Sequence, residues 1–149
     1  MSLLDRTSED PAAKRRRYIV SAVALVILLG FGTWYFFLRF IGEKRVVQKF
    51  MDEVVAGNYE QAYQIWNPHG TYSYQDFLAD WGQQGYYAPI GSYEIVTAEA
   101  PRGGGSGVIV VLEVSPFEEF PSGQDPRSGR NREVRLWVEG SDKSLSFPP

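Results

Sequence analysis

Hydrophobic residues follow three rhythms along this chain. From residue 18 to residue 38 the run YIVSAVALVILLGFGTWYFFL carries no charged side chain. Its 21 residues, at ~1.5 Å each, would cover about 30 Å as a helix. From residue 43 the apolar positions space out to Val46, Val47, Phe50, Met51, Val54 and Val55, one stripe of an amphipathic helix. Gly57 follows as a left-handed terminator. Asn58 can cap a second, short helix whose face is Tyr59, Ala62, Tyr63 and Trp66, with Asn67-Pro68 stopping it. Ser73, with Asp76 three residues on, predicts the start of a third helix bearing Tyr74, Phe77, Leu78 and Trp81. After the glycines at 82 and 85 the period becomes two. Strands are predicted at 92–100, 107–115 and 133–138, with a short fourth at 144–147. A polar loop rich in proline and glycine covers 118–131, and 139–143 is a turn. Helices first and closely connected strands after predict an α+β domain with an antiparallel sheet and its helices on one face.

The uncharged run reads as a membrane-spanning helix. A charge inside a bilayer is costly, and a domain of this size has nowhere to bury such a helix. Tyr18 stands at one boundary and Trp34-Tyr35 near the other, where amphipathic aromatics prefer to lie. Lys14, Arg15, Arg16 and Arg17 precede the run. The positive-inside tendency then places the N-terminus in the cytoplasm, although Arg39, Lys44, Arg45 and Lys49 flank the far end. A cleaved signal peptide would have a shorter apolar core and a small-residue cleavage site, whereas this run ends in bulky residues, so an uncleaved signal anchor is expected. The layout is a disordered cytoplasmic tail over 1–17, a transmembrane helix over 18–41 and an extracytoplasmic domain over 42–149.

Charge changes the picture of that domain. The whole chain has a formal charge of −3, but from Gly42 onward there are 9 Lys/Arg against 15 Asp/Glu, a balance of −6. An acidic body argues against nucleic acid as a partner. There is no cysteine, which removes disulfides, thiolate chemistry and cysteine-ligated zinc. With one histidine as well, no metal site and no cofactor are expected.

The stripe helix followed by Gly57-Asn58-Tyr59-Glu60-Gln61-Ala62-Tyr63 resembles the helix–turn–helix start of NTF2-like domains. Residues 73–81 and the strands around Tyr93 and Val108–Val111 are similar to the elements that follow in that family. The resemblance covers about residues 43–147 and implies a cone: a curved antiparallel sheet around helices, open at one end. In layout the chain is similar to membrane-anchored bacterial members. The resemblance fixes no activity, because such folds host many.

Candidate chemistry is sparse, and no catalytic residue is assigned. His69 is either a solvated loop residue or, as in NTF2-like isomerases and dehydratases, a general base. No acid lies within a few positions of it, and Asp76 or Asp80 could orient it only in space. Gly103 to Gly107 leads into a strand and lacks the lysine of a phosphate loop, so it reads as a flexible hairpin tip. The aromatic residues either pack the core or line the cone, in which case Tyr63, Trp66, Phe77, Trp81 and Tyr93 bind an apolar ligand. Ile109, Val111 and Trp137 make the second face of the sheet partly apolar. Either that face docks an envelope protein or a second copy, or the C-terminal segment covers it. The function expected is a membrane-tethered, non-enzymatic binding or assembly module of the cell envelope. The alternative is a small-molecule-binding or isomerase-like enzyme.

Overall fold

The computed structural model describes residues 11–66 and 68–149. Residues 1–10 of the disordered tail expected over 1–17, and the helix stop expected at Asn67, lie outside the described residues, whereas 11–17 are helical. The chain divides into two compact units between Arg39 and Phe40.

The first unit contains helix α1, Pro11–Leu38, 28 residues long. Among the described residues it is the only helix long and apolar enough to cross a membrane, and none of its apolar stretch is buried. It begins before the expected start at residue 18. Proline is tolerated in a first turn, and the Ala and Lys/Arg residues that follow Pro11 are good helix formers, so the helix runs back through the basic cluster. It also ends before the expected boundary at 41, because Phe40 belongs to the second unit and packs against its core.

The second unit is α+β: three helices and a four-stranded antiparallel sheet. Helix α2 is Ile41–Ala56, and its buried face is Val47, Phe50, Met51 and Val54. Gly57 closes it at φ 78°, a left-handed conformation that glycine adopts without steric cost. Helix α3 is Tyr59–Trp66 and buries Ala62 and Trp66. Helix α4 is Tyr74–Trp81. Its predicted capping box is formed: the Asp76 N–H donates to Ser73 Oγ at 3.2 Å, and the Ser73 N–H to Asp76 Oδ2 at 2.9 Å.

Strands β1 (Ser92–Glu99), β2 (Val108–Ser115), β3 (Arg132–Val138) and β4 (Leu145–Ser146) lie in chain order across the sheet. A short 3-10 turn, Pro126–Arg130, interrupts the long polar loop. Pairs Val110↔Leu136 and Leu112↔Val134 put the alternating apolar residues of β2 and β3 on one face. That face and the buried sides of α2, α3 and α4 form a single core. Phe50 sits among Trp66, Phe77 and Trp81, with ring centroids 5.2, 6.1 and 5.0 Å away. Burying each such ring contributes about 1.5–3 kcal/mol.

The second face of the sheet is not the open apolar patch expected at Ile109, Val111 and Trp137. Val111 is buried, and Ile109 and Trp137 are half-buried. At Trp137 the reason lies in the glycine tract, which is no free hairpin tip. A Cβ on Gly107 would overlap the Trp137 indole, and one on Gly105 would stand 3.2 Å from it. The glycines let the loop backbone lie against the ring. The C-terminal segment does not cover this face either, since Leu145 and Phe147 pack into the core side.

Candidate functional site

A cleft of about 360 Å³ opens between the segment joining α3 to α4 and the end of the sheet formed by β3, its turn and β4. Trp66, Pro68, His69 and Tyr72 line one side, and Trp137, Glu139, Asp142 and Ser144 to Phe147 line the other. Its apolar floor follows from local packing. Trp66 ends α3 on the buried face, Tyr72 stacks on it at 5.6 Å, and Phe147 meets it at 5.2 Å. The Tyr72 hydroxyl donates to Asp80 Oδ2 at 2.7 Å. Burial first, and Asp80 second, push its pKa up, so the phenol stays protonated.

The polar rim is built by the β3–β4 turn. Lys143 adopts φ 59°, an unfavourable conformation for a side chain with a Cβ. Hydrogen bonds hold the turn. The Lys143 N–H donates to Glu139 O at 3.1 Å and the Glu139 N–H to Ser144 O at 2.9 Å. Lys143 Nζ reaches Glu43 at the start of α2, 2.7 Å away. This arrangement fixes two carboxylates. Asp142 Oδ1 accepts from the Ser144 N–H at 2.9 Å, and Oδ2 lies 2.8 Å from His69 Nε2. The Ser144 backbone and hydroxyl, and then His69, hold the Asp142 carboxyl down at about 2. Glu139 accepts from the Ser106 hydroxyl, the Trp137 indole N–H and the Gly140 N–H. Those three donors, Ser106 foremost, lower its pKa.

The expected cavity residues are dispersed. Trp66 is in the cleft. Phe77 is fully buried in the core and presents nothing to a ligand. Trp81 is also buried and borders a hollow of about 130 Å³ beside Ala88 and Pro89. Tyr63 donates to Tyr72 O at 2.9 Å, bracing the cleft wall from behind. Tyr93 donates to Asp52 Oδ1 at 2.6 Å, joining β1 to α2 away from the cleft. Tight aromatic packing around Phe50 accounts for this correction: the rings fill the space that a cone cavity would need. Trp137 was expected on a docking face and lies partly at the cleft instead.

His69 does have an orienting carboxylate, but it is Asp142, 73 positions away, and neither Asp76 nor Asp80. No sequence spacing signals a pair so distant. Glu139 and Phe147 were read only as turn and strand. Among the described residues no serine hydroxyl bonds His69, whose side chain is 68% exposed, and no three potential ligands gather as a metal site. The cleft combines aromatic surface, two ionised carboxylates and a solvated imidazole. It offers binding groups and no assembled nucleophile. No protein-family description, curated protein or solved structure matches the chain.

Proposed function

We propose that this chain is a membrane-tethered, non-enzymatic binding module of the cell envelope. Helix α1 spans the bilayer with its N-terminus in the cytoplasm, and the domain beyond Phe40 works outside it. The observation that carries this reading is the exposure of an apolar helical stretch long enough to cross hydrocarbon. In water such a surface would aggregate, whereas in lipid it is satisfied. The Thr33 hydroxyl donates to Leu29 O at 2.7 Å within the helix, as a polar group in lipid must. We read the domain as NTF2-like on the turn from Gly57 to Tyr63 and the α+β layout, and its binding site as the cleft beside Trp66. Tethering holds the cleft near membrane partners, so modest affinity suffices. The test is alkaline extraction of membranes together with protease added to spheroplasts. The chain stays in the pellet and the domain is digested from outside. A chain released by alkali, or a domain protected until the membrane is broken, overturns the reading.

The pair of His69 and Asp142 at the cleft mouth favours a second reading, an isomerase-like or dehydratase-like enzyme with His69 as general base. His69→Ala separates the two. Loss of turnover with ligand binding and folding unchanged supports catalysis, and an intact phenotype removes it.

A further inference from the structure

The chemistry of the cleft also selects what it binds. We infer that it takes an organic cation, an alkylammonium or guanidinium group on a short apolar stem. This rests on the binding-module reading above. Glu139 and Asp142 stand on the same turn, close enough for the charge on Asp142 to oppose ionisation of Glu139. Both stay ionised because N–H and hydroxyl groups hold them. Among the described residues neither is paired with a lysine or arginine. Glu139 meets only neutral donors, and the one ionisable group beside Asp142 is His69. Lys143, the nearest cation in sequence, is committed to Glu43. The rim therefore carries two carboxylates, and among the described residues the exposed His69 imidazole is the one ionisable partner set against them. Hydrogen bonding does not exhaust them, since an ionised carboxylate offers about four acceptor positions.

The same cleft is lined by the half-buried rings of Tyr72 and Phe147, which pack on the buried Trp66. An aromatic ring attracts a cation to its face, and the apolar floor covers an alkyl stem. An anion would meet the carboxylates. A neutral apolar molecule would gain the floor and leave the rim charges facing one another. The volume of about 360 Å³ suits one long side chain or a small amine better than a bulky ligand. The same chemistry is offered by a lysine or arginine side chain of a partner polypeptide and by a free amine.

The experiment is titration of the full-length chain in detergent micelles, followed by NMR of the Trp66 indole and the His69 ring. The probes are n-butylammonium, n-butylguanidinium, butyrate, n-butanol and the peptide acetyl-Gly-Lys-Gly-amide. The cations should saturate at least tenfold more tightly than butyrate or butanol. Glu139→Gln should weaken them at least fivefold, and the exposed Glu118→Gln, outside the cleft, should change nothing. Asp142→Asn should act as Glu139→Gln does. If either variant fails to fold, added salt gives an independent reading, because raising it weakens a charge-driven complex. Peptide binding equal to the free amines assigns the source to a polypeptide side chain, and binding of the amines alone assigns it to a small molecule. Butanol binding as tightly as butylammonium, or no saturation by any cation, overturns the inference. The module reading falls separately, if the chain leaves the membrane with alkali.

Discussion

Leu28 and Leu112 are the same residue in opposite circumstances. Leu28 stands on α1 with 70% of its surface open, and Leu112 has none, enclosed between the sheet and the helices. The difference is in rhythm, not in composition. In α2 the apolar residues recur at helical spacing, so one side turns inward and the other meets water. In β3 the buried residues Val134, Leu136 and Val138 alternate with more open ones, and the same division follows with period two. In the uncharged run of α1 the apolar residues do not recur at all, because they are continuous. Such a helix has no side to give to water, and only an apolar solvent suits its whole circumference.

Breaking the α1 side of that contrast should have the largest effect. With Leu25 and Leu28 both changed to Arg, insertion becomes less favourable by roughly 3 kcal/mol for each charge. On the proposed reading the chain then moves from the alkali-resistant membrane pellet to the soluble fraction, and the urea midpoint of the domain is unchanged. Retention of the double variant in the pellet would remove the membrane argument. The domain side breaks differently. Phe50→Ala empties the centre of the aromatic cluster and should cost about 3–5 kcal/mol. Its urea midpoint should fall sharply, with membrane partition as in the parent chain. A midpoint within experimental error of the parent would mean that Phe50 is not enclosed as described.

A smaller effect tests the glycine tract. Gly107→Ala forces a methyl group into the Trp137 indole and should destabilise by about 1–3 kcal/mol. In a Trp137→Leu background most of that loss should vanish, and additive losses in the double-mutant cycle would show that ring and loop are independent.

These contrasts also explain what could be read in advance. The helices and strands were legible because burial imposes a period on neighbouring residues, and Ser73 and Gly57 carry their capping chemistry with them. The contents of the core were less so. Phe77 and Trp81 look the same in sequence whether they line a cavity or fill it, since that depends on how closely rings from different helices approach. The surroundings of Trp137 on the second sheet face are not legible either, because the glycines that lie against it come some 30 positions earlier. The cleft was the least legible part. His69 and Asp142 meet only because the α3–α4 segment and the β3–β4 turn fold to the same end of the sheet. Glu139 and Asp142 are three residues apart and resemble any acidic turn until their donors are known.

The smallest effect belongs to that turn and isolates it from the core. In the folded domain Asp142 titrates at about 2, against an ordinary aspartate value of 3.8. A carboxyl depressed in this way favours the folded state above its unfolded pKa. Its contribution then disappears as pH falls from about 4 to about 2. Glu139 is shifted in the same direction. Asp142 is exposed, so the gain is screened by solvent and salt. Asp142→Asn should therefore be slightly less stable than the parent at neutral pH, and the gap should close through that acidic window. Urea midpoints of the two chains, measured at intervals from pH 7 to pH 2, follow the gap directly. A difference that stays constant with pH would mean the substitution acts through turn geometry alone, and that the charge on Asp142 contributes nothing to holding the rim.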